Sequence, residues 1–312
     1  MVPLNVIWRR ARLDAARESH FMMRVLLAKI RRAVRVIPLG DNDPLPLMDN
    51  ALVVSYRTEF TEYVSAFRRK SCRNIGLFHT ADEYGTDDRG FYADVDYVLR
   101  HYWFRPAAQK PSESSLGVLW VPNGYGNLVG PMPAQSILPM ADRHVGGFFA
   151  GCMETRDERQ DMVNVVEAAK LPFQVVKTPA FGQGLGPASY TAFLANARFA
   201  LVPGGNSPET IRLYEALETG AIPIMLRSEF VSEPEALGDP PIVLLERWDD
   251  LPAFYERYAD TASPAVITEL QAKQAQILAW WRQFVARQQD RVAALIDASF
   301  GRSSQERSRT NA

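Results

Sequence analysis

The stretch LVPGGNSPETIRLYEALETGAIPIML, residues 201–226, decides how this chain reads. An apolar run meets Pro203-Gly204-Gly205, a helical period carries Arg212 and Glu215, and a second apolar run follows through Ile222-Pro223-Ile224. A strand–helix–strand unit needs the turn and the apolar runs; it does not need the charges. Gly204 and Gly205 let the backbone turn tightly and let a ligand come close. Asn206 or Ser207 is suited to capping the helix and Pro208 to its first turn, which predicts a helix over 208–220. Such an N-terminus, with unpaired N–H groups and a positive dipole end, seats a diphosphate. Arg212 lies one turn in and adds a charge-assisted contact to phosphate. Glu215, three residues on, shares that helix face and is suited to accept hydrogen bonds from ribose or sugar hydroxyls. Gly220 ends the helix in the left-handed position. The bland alternative is an ordinary unit whose Arg212 and Glu215 pair on the surface. No G-x-G-x-x-G follows a strand and no G-K-[ST] occurs, so the dinucleotide and P-loop fingerprints are absent.

Outward from that stretch the same alternation continues. Apolar runs at 34–38, 52–54, 75–78, 97–99 and 118–121 form one series, and those at 145–149, 173–176, 199–202, 222–226 and 242–245 a second. Helical periods at 156–170 and 189–197 lie between members of the second series. This predicts an α/β fold of two Rossmann-like domains facing a cleft. The expected boundary gives an N-terminal domain over 1–140 and a C-terminal ligand domain over 141–298, whose end, 265–298, is a long helix packing back. The polar residues 299–312 read as a disordered tail.

With 312 residues the chain can bury two cores, and 47% hydrophobic with 23% charged residues is the composition of a soluble globular protein. It has neither an apolar run long enough for a membrane span nor a signal-peptide pattern. Cys72 and Cys152 lie far apart, without metal-ligand spacing, which points to free thiols and a cytoplasmic location. The net charge of -1 conceals residues 1–35, where nine Lys and Arg face Asp14 and Glu18, a balance of +7. Trp8, Phe21, Leu26 and Leu27 interleave with those cations, so the segment is expected to be a basic, partly amphipathic first helix. Either it packs on the fold, or it attaches reversibly to an anionic membrane surface through charge and shallow burial.

The motif NSPETIRLYEALETGAIPIML, with the approach YTAFLANARFALVPGG before it, resembles the nucleotide-sugar-binding motif of exostosin-type glycosyltransferases. The resemblance implies a GT-B fold and an inverting transferase that uses a UDP- or GDP-linked sugar without a bound metal or other cofactor. It implies that Gly204, Gly205, Asn206 and Ser207 form the donor loop, with Arg212 at the diphosphate and Glu215 at the ribose or sugar. It further implies a glycan or lipid-linked glycan acceptor, in cell-envelope polysaccharide synthesis at the inner face of the membrane. Pro208-Glu209 is an insertion relative to that family. Fucosyltransferase-type enzymes have a comparable Asn-Ser/Glu site, but the Tyr-x-Thr-Glu-Lys that follows there is absent.

Further candidates stand at other strand ends. GGFFAGCMETRDERQDM runs a strand into Gly151 and a helix with Arg156 and Arg159, which reach phosphate or are ordinary helix-start arginines. Lys177 ends the next strand, and Phe181 or Tyr190 beyond it is placed to stack on a base or to pack a lid. In the first half, His79, Asp82 and Glu83 follow a strand and are candidates for the base that takes the acceptor proton, Glu83 first for its reach. Asp94-Val95-Asp96 opens a strand rather than ending one, which argues against a metal-binding D-x-D. Asn123 and Tyr125 follow another strand and are candidates for orienting the acceptor. A non-catalytic sugar-nucleotide binder, a phosphotransferase and an epimerase remain compatible with the same scaffold. Nothing points to nucleic acid.

Overall fold

The structure, a computed structural model, describes residues 2–15, 17–104, 116–126, 128–154, 156–180 and 183–310. The chain forms two compact units, Met1–Asn123 with Val285–Ala312, and Gly124–Phe284.

The first unit holds strands β1 (Leu4–Arg9), β2 (Val34–Leu39), β3 (Ala51–Tyr56), β4 (Ile75–Thr80), β5 (Tyr97–Arg100) and β6 (Val118–Trp120). They form one sheet in the order β2-β1-β3-β4-β5-β6, with every pairing parallel. Helices α1 (Arg10–Ala15), α2 (Arg17–Arg24) and α3 (Thr61–Arg69) belong to this unit. The core is a cluster that includes Ile7, Val53, Val64, Phe67, Leu77 and Val98.

All five strands expected for this half are present. The sixth, β1, corrects the expectation of a basic first helix. Leu4, Val6 and Ile7 are fully buried, and Val6 pairs with Val36 on one side and Leu52 on the other. Trp8, Phe21, Leu26 and Leu27, expected either to pack on the fold or to dip into lipid, are all core residues. Several of the cations are matched within the unit: Arg9 by Asp41 and Glu59, Lys29 by Asp290, and Arg32 by Asp297. The apolar residues of the segment are thus packed in the core, and three of its nine cations are engaged in ion pairs. Among the described residues no helix is long and apolar enough to cross a membrane.

The second unit holds β7 (Val145–Cys152), β8 (Phe173–Thr178), β9 (Ala197–Leu201), β10 (Ile222–Leu226) and β11 (Val243–Leu245). Their order is β11-β10-β9-β7-β8, again all parallel. The helices are α4 (Asp157–Ala168), α5 (Pro187–Asn196), α6 (Ile211–Thr219), α7 (Glu229–Ser232), α8 (Leu251–Glu256) and the start of α9 (Pro264–Thr310). Within this sheet the first strand, β7, lies between the second and the third. Strand order therefore reverses between β7 and β9, and the crevice outside their C-terminal ends is where such sheets bind ligands.

Two features depart from the expected boundaries. Residues 124–140 belong to the second unit: the Met132 N–H donates to Glu218 Oε1 at 2.5 Å, and the Met140 N–H to Gln271 Oε1 at 2.8 Å. Helix α9 continues to Thr310 across the stretch read as a disordered tail, and from Val285 onward it belongs to the first unit. Arg143 fixes the base of the second sheet. It is fully buried and its guanidinium donates to the carbonyls of Leu138, Ala197 and Thr219 at 3.0, 2.7 and 2.6 Å. Burial lowers its pKa to about 10. Through those bonds the start of β9 and the end of α6 share one anchor.

Candidate functional site

The ends of β7 and β9 carry the site. Arg212, in the first turn of α6, lays its guanidinium 4.8 Å from the centre of the Phe149 ring. Its Nη2 donates to the Ala150 carbonyl at 2.8 Å, while its Nε is buried with no hydrogen-bond partner. A Cβ at Gly151 would stand 2.7 Å from that Nη2, so Gly151 is required by the arginine lying over it and not by a turn. Gly204 plays the same part across the crevice: a Cβ there would stand 2.8 Å from both Arg156 Nη1 and Glu158 Oε2. Arg159 closes the group, donating from Nη1 to the Cys152 carbonyl at 2.7 Å and from Nε to the Gly204 carbonyl at 3.1 Å. Three guanidinium groups thus converge on two glycines with one carboxylate among them, a formal surplus of two positive charges.

The start of α6 differs from the expectation. The helix begins at Ile211, not at 208, because residues 206–210 form a separate turn. Ser207 spends its hydroxyl on the Glu209 N–H at 3.2 Å, and its carbonyl accepts from the Gly205 N–H at 3.0 Å, so Ser207 does not cap the helix. Glu209 is buried and accepts from the Tyr214 hydroxyl at 2.7 Å. The inserted Pro208-Glu209 therefore has a packing role inside the turn. Thr210 is the N-cap residue, in extended conformation, with its Oγ1 buried and unpartnered. At the other end Gly220 closes the helix at φ 71°, as expected. Glu215 is buried and accepts from the Tyr190 hydroxyl at 2.7 Å, so the surface pair of Arg212 and Glu215 does not form.

The structure does not bring every candidate of this half to the crevice. Lys177 is paired with Glu167 at 2.7 Å on the surface. Asn206 is half-buried in the turn before α6. Tyr190 is engaged by Glu215 and lies 5.5 Å from the Phe148 ring, while Phe181 falls outside the described residues. Tyr125 corrects a second expectation. It belongs to the second unit, is buried, and contacts the Trp281 ring at 6.4 Å; burial first, then the charge of Glu218, raises its pKa. It is a core residue there and not an acceptor contact. Asn123 is likewise buried, at the end of the first unit's chain segment. Glu158 and Trp248 escaped the sequence reading. An acid in the first turn of the helix after β7, next to two arginines, was the available signal for Glu158; nothing marked Trp248.

In the first unit His79 and Asp82 form a buried charge network. Arg100 Nη2 donates to Asp82 Oδ2 at 2.5 Å, and the N–H groups of Thr86 and Asp87 donate to Asp82 Oδ1. Both neighbours of His79 Nδ1, Arg100 Nη1 at 3.2 Å and the Tyr92 hydroxyl at 2.5 Å, include donors, so Nδ1 accepts. Its Nε2 then carries the proton toward Asp87 Oδ2 at 3.1 Å. Burial, followed by the charge of Arg100, lowers the His79 pKa to about 4. For Asp82 burial pushes the pKa up, yet the hydrogen bond and charge of Arg100 prevail and hold it below the usual carboxylate range. Ligand atoms of His79, Asp82 and Asp87 lie within 4.8 Å of one another, as in a metal cluster. However, Arg57 donates to Asp87 at 2.7 Å and Arg100 to Asp82, so guanidinium groups already supply the positive charge. This network commits His79 and Asp82 to Arg100, Tyr92 and Asp87. Glu83 is half-buried and accepts from the Tyr102 hydroxyl at 3.1 Å. Asp94 accepts from Ser65, and Asp96 from the Ile75 N–H at 2.6 Å, both before β5 begins at Tyr97.

Two doubly wound parallel sheets, the second with a cationic crevice at its switch point, define the architecture of GT-B glycosyltransferases. The chain belongs to the family described as the RXYLT1 C-terminal domain, whose model matches residues 134–300, 167 of the 312. That match covers the half with the exostosin-like stretch, and the family it names is not exostosin itself. Among solved structures, an α1,3-fucosyltransferase matches at 10% identity and TM-score 0.50, over 91% of this chain and 90% of that one. A sucrose-phosphate synthase from Thermosynechococcus elongatus matches at 12% identity and TM-score 0.57, over 96% of this chain and 100% of that one. A UDP-forming trehalose-phosphate synthase from Burkholderia xenovorans matches at 11% identity and TM-score 0.50, over 80% and 74%. At these identities the likeness is one of fold. No curated protein sequence matches the chain.

Proposed function

We propose that this chain is an inverting, metal-independent glycosyltransferase. It moves a sugar from a nucleotide-diphosphate donor, UDP- or GDP-linked, to a glycan or glycolipid acceptor in envelope polysaccharide synthesis. The observation that carries the reading is the convergence of Arg156, Arg159 and Arg212 on Gly151 and Gly204 with a single carboxylate among them. A departing nucleoside diphosphate develops negative charge, and preorganised cations stabilise it most in a site that excludes water. Arg212 is fixed by Ala150 and Phe149 but keeps an unpartnered Nε, so it meets the diphosphate without first reorganising. The first-turn N–H groups of α6 add the positive end of a helix dipole. Glu215, held by Tyr190, serves the ribose or sugar hydroxyls. Glu83 takes the acceptor proton as the acceptor oxygen attacks the anomeric carbon, because His79 and Asp82 are committed to Arg100 and Asp87.

The test is calorimetric titration with UDP, GDP and their sugar conjugates. One of them should bind the wild type, and Arg212→Ala should weaken it by about tenfold or more, since a hydrogen bond to a charged group contributes about 1.5–3 kcal/mol. Sugar transfer should proceed in EDTA. Loss of turnover in EDTA with rescue by manganese would overturn the metal-independent mechanism, and undiminished binding by the arginine variant would overturn the site.

A further inference from the structure

Among the described residues Glu158 is the acid placed against the arginine cluster, and its position looks unfavourable for a site that binds an anion. Its contacts explain why it is there. Its Oε1 accepts from the Gly204 N–H at 3.0 Å and from the Trp248 indole N–H at 3.3 Å. The other side of Gly204, its carbonyl, accepts from Arg159 Nε at 3.1 Å. Two adjacent residues of α4, Glu158 and Arg159, therefore hold both polar groups of Gly204 by complementary bonds. Trp248, itself buried and placed just after β11, ties a third segment to the same carboxylate. Arg156 Nη1 stands 3.9 Å from Glu158 Oε2, too long for a hydrogen bond, and the Arg156 side chain is 47% exposed. The carboxylate thus acts on the loop chiefly as a hydrogen-bond acceptor, while its charge is spent on a loosely held arginine.

We infer that Glu158 is a positioning residue with two opposed effects on the donor: its oxygen fixes the Gly204 loop, and its negative charge works against the diphosphate. This rests on the proposed reading of the crevice as a diphosphate site. The two effects separate by substitution. Glu158→Gln keeps a carbonyl oxygen for the Gly204 and Trp248 N–H groups and removes the charge. Glu158→Ala removes both, leaving the Gly204 N–H and the indole N–H without their acceptor. A residue that only fixes the loop would leave affinity unchanged in Glu158→Gln and lower it in Glu158→Ala, and a bystander would change it in neither.

The experiment is calorimetric titration of wild type, Glu158→Gln, Glu158→Ala and Arg212→Ala with UDP, GDP and inorganic diphosphate at low and high salt, after melting curves show each variant folded. The glutamine variant should bind about fivefold tighter at low salt, because one like charge beside the diphosphate is removed, and the gain should shrink as salt screens it. The alanine variant should bind weaker than the glutamine variant by about tenfold, because an unanchored loop must be ordered by the ligand. Equal or weaker binding by the glutamine variant, with Arg212→Ala still impaired, overturns the role given to Glu158 and leaves the diphosphate site standing. No binding of any of the three probes by the wild type, or no loss in Arg212→Ala, overturns the site itself and the inference with it.

Discussion

A single methyl group offers the sharpest test of the crevice. In Gly151→Ala the new Cβ would stand 2.7 Å from Arg212 Nη2, and ordinary contact begins at 3.4 Å. The guanidinium must retreat by about 0.7 Å, which breaks or lengthens its 2.8 Å bond to the Ala150 carbonyl. The obstructing atom is the far end of a flexible side chain, so the fold adapts readily. The loss is one hydrogen bond, about 1–2 kcal/mol. Ligand binding should suffer by a similar amount. Arg212 would be pushed off the Phe149 ring and out of the geometry in which its Nε is offered, and a misplaced charged donor forfeits much of its 1.5–3 kcal/mol. Binding of the preferred nucleotide diphosphate should therefore fall by about tenfold, most of the way to Arg212→Ala, while the midpoint of urea unfolding falls by no more than the loss of that one hydrogen bond allows. The double variant should bind no worse than Arg212→Ala alone, because both changes act through one side chain. Wild-type affinity in Gly151→Ala would show that Arg212 does not touch the ligand. Additive losses in the double variant would show that Gly151 contributes independently.

Two further outcomes follow from the first unit. Glu83→Gln preserves the acceptor for the Tyr102 hydroxyl but cannot take a proton, so turnover should drop by about a hundredfold or more with donor affinity unchanged; normal turnover would exclude Glu83 as the base. The His79 pKa in the fold, about 4, lies below its ordinary 6.5. Between those values the unfolded chain holds the proton and the native state does not, so stability is full above pH 6.5 and falls as pH drops toward 4. His101, lowered to about 3 by burial and then by the charges of His79 and Arg100, acts in the same direction. Each histidine should withdraw about 2 kcal/mol by pH 5. Denaturant melts at pH 7 and pH 5 measure this, and an unchanged midpoint would contradict the buried neutral histidines.

Much of this molecule was legible in its sequence, and the reasons differ from place to place. Ten strands stood out because each is a short apolar run bounded by breakers. β1 was missed because Val6-Ile7-Trp8 is followed at once by Arg9 and Arg10, and the density of cations up to Arg35 suggested one surface helix. Two of those cations, Lys29 and Arg32, are matched by Asp290 and Asp297, more than 250 residues away, which local pattern cannot reveal. The strand–helix–strand stretch of residues 201–226 was read from its glycines and apolar runs, yet the helix start moved to Ile211 because Glu209 reaches Tyr214 and holds the preceding turn together. His79 and Asp82 follow a strand end as a catalytic pair would. Their fate is decided by Arg57 just after β3, Tyr92 in the helical turn before β5, and Arg100 at the end of β5. Tyr125 was similarly redirected by Glu218 and Trp281.

The shared helix α9 has a consequence for the order in which the protein can be made. Every strand of the first unit has been synthesised by residue 120, but the unit also needs residues 285–312. Ser299 bonds to the buried Asn74, Gln289 reaches the Val25 carbonyl at 2.9 Å, and Phe300 lies under the guanidinium of Arg32. The 161 residues of the second unit, 124–284, are translated in between, which at typical rates takes on the order of 10–30 s. Every strand of the second unit is therefore made, by residue 245, while the first unit still waits with part of its core uncovered. A stop codon placed in the middle of α9 would spare the half that was made later and leave unfinished the half that was made first.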